Sequence, residues 1–142
     1  MLSVIIPTYN RVRHLPLALA SLARQTITKD SFEVLVIDDG SSDNTAETVK
    51  NYSELKVKYF HQNHLGVSAA RNFGIEKATG DILVFFDDDA VADKNCLEEI
   101  EKIMRQEDII TGQVKPLREN LWKYFAPHYY QGEIPLESTV LL

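Results

Sequence analysis

Apolar residues along this chain gather into short runs separated by polar segments. Runs rich in β-branched and aliphatic side chains occupy residues 3–7, 32–38, 56–61 and 82–86, with a weaker one at 109–114. Three of them, "SVIIP", "VLVID" and "ILVFF", are apolar without alternation, the pattern of strands covered on both faces in a parallel sheet. Between the runs the period changes. Leu15, Ala18, Leu19 and Leu22 fall three and four apart, as do Leu97, Ile100, Ile103 and Met104, so each set predicts one apolar stripe of a helix. Ser41, Ser42 and Asp43 are good N-cap types before "NTAETVKNY". Ser68 can open a helix over "SAARNFGIEKA", ending before Gly80. Strand and helix therefore alternate, which predicts an α/β fold: an open, mostly parallel twisted sheet with helices on both faces, of Rossmann-like type. The expected core covers residues 1–115, and 116–142 form a separate, aromatic-rich stretch.

In such sheets ligands bind beyond the carboxyl ends of the strands. The unusual residues lie there. The first run leads into Pro7-Thr8-Tyr9-Asn10, the second into Asp38-Asp39-Gly40-Ser41 and the fourth into Asp87-Asp88-Asp89, so three clusters distant in sequence should converge on one edge. Adjacent carboxylates repel and raise one another's pKa unless a cation compensates. In an extended segment alternate side chains share a face, so Asp87 and Asp89 can point together while Asp88 points elsewhere. Two such carboxylates form a hard oxygen site for Mg²⁺ or Mn²⁺ that keeps positions open for phosphate oxygens. The alternative is a solvated acidic turn that caps the next helix at Asp93 or Asn95. "DDGSSDN" likewise reads either as a turn with its cap or as a carboxylate pair aimed at nucleobase N–H groups or ribose hydroxyls. Arg71 can pair with a phosphate or with an acidic cluster, or lie on the surface. Gly66 and Gly74 read as a turn and a packing contact.

Composition narrows the partners. The 142 residues are 44% hydrophobic, enough for one domain with a real core. A formal charge of −6 argues against a polynucleotide-binding face and leaves small phosphorylated ligands. Cys96 is the single cysteine, which points to a reducing, cytoplasmic setting. No run approaches the ~18 apolar residues of a membrane span. The four histidines form no i,i+4 pair, and surface or hydrogen-bonded roles are expected of them; Cys96 is expected in the core stripe.

The stretches "SVIIPTYNR", "FEVLVIDDGSSDNT", "HQNHLGVSAARNFGIEKATGD" and "ILVFFDDDA" together resemble the nucleotide-sugar-binding part of the family-two inverting glycosyltransferases, which have the GT-A fold. The resemblance runs from residue 2 to about 115. It implies that Pro7, Thr8 and Tyr9 line a base pocket with Tyr9 against the base. Asp39 would bond the base, Arg71 would lie near the nucleotide, and Asp88 would serve ribose or sugar. The family's Asp-x-Asp motif falls on Asp87 and Asp89, with Mn²⁺ or Mg²⁺ as the cofactor. Many relatives carry a further acidic residue where Ala90 stands. The implied reaction is a single displacement on a nucleotide sugar, a UDP-sugar by expectation, with a saccharide, lipid-linked or protein acceptor. Its catalytic base belongs to a downstream acceptor region that the sequence does not show, so the chain is expected to be truncated, with "LWKYFAPHYYQGE" as an acceptor wall, a membrane-surface contact or a packing face. The expected location is the cytoplasm, extending to the inner face of a membrane. Two other readings stay open: a non-catalytic nucleotide-sugar-binding module that needs a partner chain, and a Mg²⁺-binding receiver-like signalling domain.

Overall fold

The computed structural model of the chain describes residues 1–105 and 109. Four strands, β1 (Leu2–Thr8), β2 (Phe32–Asp38), β3 (Val57–His61) and β4 (Ile82–Phe85), alternate with helices α1 (Leu15–Ala23), α2 (Thr45–Lys50), α3 (Val67–Lys77) and α4 (Cys96–Ile103). The sheet is wholly parallel among these strands, in the order β3-β2-β1-β4.

The continuous apolar runs follow from burial on both faces. Leu2, Val4 and Ile6 of β1 and Phe32, Val34 and Val36 of β2 pack against the stripes of α1, α2 and α4: Leu15, Ala18, Leu19 and Leu22, then Val49, then Leu97 and Ile100. The intervening residues Ile5, Leu35 and Ile37 face the other way, onto Ala70 and Phe73 of α3. That helix lies so close to the sheet that a Cβ on Gly74 would stand 2.4 Å from Ile5 Cγ2, which makes this glycine a packing requirement. Cys96 and Met104 pack half-buried at the margin of the larger core.

The ends of the sheet differ. At the amino ends the buried carboxylate of Glu33 accepts hydrogen bonds from Ser3 Oγ (2.7 Å), Thr79 N (2.7 Å) and Thr79 Oγ1 (2.8 Å), and pairs with Lys58 Nζ at 2.6 Å. Burial alone would raise the Glu33 pKa, but these donors outweigh it and hold the group at about 2. Both carboxylate oxygens are engaged. At the carboxyl ends, β1 lies between β2 and β4: the chain leaves β1 through α1 on one face to β2 and returns from β3 through α3 on the other face to β4, the reversal at which such sheets open a crevice.

Boundaries depart from expectation by a residue or so, as helix and strand ends do. Two caps differ more. Asn44, not Ser42 or Asp43, is the N-cap of α2, while Asp43 Oδ1 accepts from Thr45 N at 3.1 Å, the bond a cap would make. Gly66, not Ser68, precedes α3, with φ +95°, a conformation that side chains rarely adopt. The expected strand at 109–114 lies outside the described residues apart from exposed Ile109, as does the aromatic stretch. No helix among the described residues is long and apolar enough to cross a membrane.

Candidate functional site

The crevice is built by three loops that leave adjacent strands. After β1 the chain turns at Asn10, whose φ of +53° is tolerated because Asn adopts the left-handed region more readily than most residues. Asn10 N donates to Ser41 Oγ at 2.8 Å and Asn10 Oδ1 accepts from Ser42 N at 2.8 Å, which ties the first loop to the second. Val12 N adds a bond to Asp43 Oδ2 at 3.1 Å.

In the second loop Asp38 Oδ1 accepts from Ser41 N at 2.7 Å, and Oδ2 accepts from the Tyr59 hydroxyl. Burial, and then that bond to Asp38, raise the Tyr59 pKa. Asp39 is 3% exposed, and its carboxylate accepts from three donors. Its Oδ1 accepts from Gln62 Nε2 at 2.6 Å and Leu65 N at 2.9 Å, and its Oδ2 accepts from Gly66 N at 2.8 Å; His64 Nδ1 is hydrogen-bonded to the Asp39 backbone oxygen at 3.0 Å and also lies 3.0 Å from Oδ2. Burial pushes this carboxyl up, but the Leu65, Gln62 and Gly66 donors pull it further down, so its pKa lies below the ordinary value. Asp39 thus fixes the loop that leads into α3.

The third loop answers the question of charge. Asp88 turns inward, 7% exposed, and accepts from Thr8 Oγ1 at 2.7 Å. Its pKa is raised, chiefly by burial and further by Asp89, against the lowering effects of Thr8 and Arg11. Asp87 and Asp89 face solvent, their side chains 56% and 50% exposed. Arg11 offsets two of the three charges, with Nε 3.1 Å from Asp88 Oδ1 and Nη2 on Asp89, and Arg71 Nη2 lies 3.4 Å from Asp87 Oδ1.

These loops enclose a cleft of about 420 Å³ lined by Pro7, Thr8, Tyr9, Arg11, Asp39, His64, Gly66, Val67 and Asp87–Asp89. A larger hollow, about 550 Å³, lies between the end of α1 and the start of α4, but it holds one carboxylate, Asp93, and no aromatic side chain. The strand-end cleft is the chemically equipped one. It gathers all the expected site residues except Arg71, which reaches its rim through Asp87. The alternation at Asp87-Asp88-Asp89 suits a hard divalent cation held by two exposed carboxylates, with the rest of its coordination supplied by ligand and water. No cluster of three metal-ligating side chains occurs among the described residues.

Four lining residues were not foreseen: Gly66, which was read as a turn, Val67, Arg11 and His64. Arg11 follows "PTYN" directly, and its place depends on the Asn10 turn, which no periodicity reveals. His64, for which a surface or hydrogen-bonded role was expected, has both, its side chain 58% exposed and bonded to the Asp39 backbone oxygen, and it also stacks on Tyr9 with ring centroids 4.1 Å apart and 25° between planes.

Comparison with known proteins gives this geometry a context. Residues 3–138 match the family model described as Glycosyl transferase family 2. Validoxylamine A glucosyltransferase of Streptomyces hygroscopicus subsp. jinggangensis is 43% identical over 103 residues, covering 70% of this chain and 24% of that protein. The poly(ribitol-phosphate) beta-N-acetylglucosaminyltransferase TarS of Staphylococcus aureus is 38% identical over 100 residues, covering 68% of this chain and 18% of that protein. The chain therefore spans about a quarter of the first of these relatives and less than a fifth of the second. The crystal structure of S. aureus TarS 1–349 in complex with UDP superimposes with a TM-score of 0.74 at 31% identity, over 82% of this chain and 37% of that one. The mannosyltransferase PcManGT from Pyrobaculum calidifontis, in complex with GDP-Man and Mn²⁺, gives 0.73 at 28% identity, over 81% and 35%. The α/β sheet is the GT-A fold of these neighbours.

Proposed function

The chain belongs to glycosyl transferase family 2, and from that premise we propose that its strand-end cleft holds a nucleoside diphosphate sugar, a UDP-sugar, as donor for a metal-dependent, inverting transfer to an acceptor hydroxyl. The observation that carries the reading is the convergence of Tyr9, Asp39 and Asp87–Asp89, from three different loops, around one cleft. The UDP-bound relative with the same fold supports the choice of nucleotide.

Each group has a task in this reading. Tyr9, 43% exposed at the mouth of β1, offers a ring face to the base, and Pro7 and Thr8 form the floor beside it. Asp39 accepts the base N–H and holds the Gln62–Gly66 loop, so it shapes the pocket as well as touching its ligand. Asp88 keeps Thr8 and Arg11 in place and presents its remaining acceptor capacity to the ribose or sugar. Asp87 and Asp89 would hold Mn²⁺ or Mg²⁺, which when bound supplies positive charge that stabilises a departing diphosphate. Arg11 and Arg71 are then free to turn toward phosphate oxygens, a pairing that guanidinium groups make readily. None of the cleft carboxylates is assigned as the base that deprotonates the acceptor. Asp38, Asp39 and Asp88 are engaged by hydrogen bonds, and Asp87 and Asp89 are the metal pair. The acceptor, whether saccharide, lipid-linked or protein, and a partner chain or further region that reads it, lie beyond this cleft.

Calorimetric titration with UDP and with GDP, each with and without Mn²⁺, tests the proposal. Mn²⁺ should strengthen binding of one nucleotide in the parent chain and not in Asp89→Asn. Unchanged Mn²⁺-dependent affinity in Asp89→Asn contradicts the metal assignment.

A further inference from the structure

His64 makes the two contacts that the reading above reserves for the base. Its ring lies on Tyr9 at 4.1 Å, closer than the ~4.5–7 Å usual for aromatic pairs and too close to admit a third ring. Its Nδ1, hydrogen-bonded to the Asp39 backbone oxygen at 3.0 Å, also stands 3.0 Å from Asp39 Oδ2, where a base N–H would donate. The donors to the Asp39 carboxylate are the backbone N–H groups of Leu65 and Gly66 and the side chain of Gln62, and the two backbone groups cannot leave without unravelling the entry to α3. The imidazole beside them can go. It is exposed and carried on one χ1 rotation, whereas its backbone is held close to Gly40, whose added Cβ would meet His64 N at 3.0 Å.

Resting on the proposed nucleotide site, we propose that the His64 imidazole is an internal surrogate for the nucleobase, and that the nucleotide enters by displacing it from Tyr9 and Asp39. The protein then holds its base pocket closed by a ring of its own, and apparent affinity is reduced by the fraction of molecules in which that ring is in place. Removing the ring removes the competitor.

The test is calorimetry of UDP binding to the folded 142-residue chain and to three variants. His64→Ala should bind UDP about two- to ten-fold more tightly than the parent, the range set by losing one aromatic pair. His64→Phe keeps a ring on Tyr9 and should gain less than His64→Ala. Tyr9→Ala should bind more weakly. As a second readout, the His64 ring-proton resonances, shifted by the Tyr9 ring in the free chain, should move toward solvent-exposed values on saturation with UDP. UDP binding in His64→Ala that is unchanged or weaker, or His64 resonances that keep their Tyr9 shift at saturation, overturns the surrogate and leaves the nucleotide site standing. Absence of UDP binding in both the parent and His64→Ala, or equal affinity in Tyr9→Ala, overturns the base site and the surrogate together.

Discussion

Replacing Asp39 by Asn keeps the shape of the side chain and removes one acceptor oxygen, which makes it a sharp probe of the loop that enters α3. The carboxylate accepts from Gln62 and Leu65 at 2.6 and 2.9 Å on Oδ1 and from Gly66 at 2.8 Å on Oδ2. An Asn with its oxygen toward Leu65 N sets an NH₂ against the Gly66 N–H, so one buried donor is stranded and the remaining bonds lose their charge assistance. A stranded buried donor costs about 1–3 kcal/mol, and bonds to a charged acceptor exceed neutral ones by about 1 kcal/mol, so the expected loss is about 2–4 kcal/mol. The direction with pH follows from the depressed Asp39 pKa. Its stabilisation is present above the unfolded value of ~3.9 and is lost as pH falls through the lower folded value, so the variant should lose part of the parent's acid sensitivity below about pH 4. Urea unfolding followed by far-UV circular dichroism reads both effects, with the m-value unchanged if the native and denatured states keep their extent. A midpoint within about 0.5 kcal/mol of the parent, the scatter of ordinary surface changes, refutes the claim that this carboxylate anchors the loop.

Other residues make equally specific predictions. Gly74→Ala should destabilise by about 1–3 kcal/mol in thermal unfolding, because overpacking against Ile5 outweighs the ~1 kcal/mol gained from better helix propensity. Glu33→Gln should lose at most about 3 kcal/mol at neutral pH, and because Glu33 is depressed to about 2 from 4.5, the parent's advantage should fade as pH falls from about 4.5 toward 2. Thr8→Val should raise the Asp88 pKa further by removing a donor to its charged form, read by carboxyl ¹³C shifts against pH; a lowered value contradicts the assignment. Arg11→Ala should leave Asp88 and Asp89 uncompensated and make divalent-cation affinity stronger in the absence of nucleotide, which calorimetry with Mn²⁺ alone measures.

The layers of the fold were legible because they rest on periodicity. "SVIIP", "VLVID" and "ILVFF" each present apolar residues to two helical layers. The Asp87-Asp88-Asp89 triplet alternates in exposure as expected but for a different reason, since it lies past the end of β4 in a turn that Ala90 N closes on Asp87 O at 3.1 Å. The strand-end convergence was legible because the order of elements fixes which loops meet. What sequence did not show is what each polar group touches. The partners of Asp39 are largely backbone amides of Leu65 and Gly66, which leave no mark on residue identity. Arg11 reaches Asp88 and Asp89 because Asn10 takes a left-handed turn, and His64 reaches Tyr9 because Gly66 turns the chain at the start of α3. Caps moved by a residue or two because Asp43 bonds Thr45 from outside the helix that Ser42 was expected to open.

Amide chemical-shift mapping of the folded chain titrated with UDP and Mn²⁺ tests the central claim most directly, because the two ends of the sheet carry different residues. Binding in the cleft predicts that the largest shifts, and the strongest Mn²⁺ broadening, fall on Tyr9, Asp39, Gly66 and Asp87–Asp89, with Glu33, Thr79 and Gly80 at the opposite end unmoved. Shifts concentrated at Glu33, Thr79 and Gly80, or in the hollow between α1 and α4, contradict it.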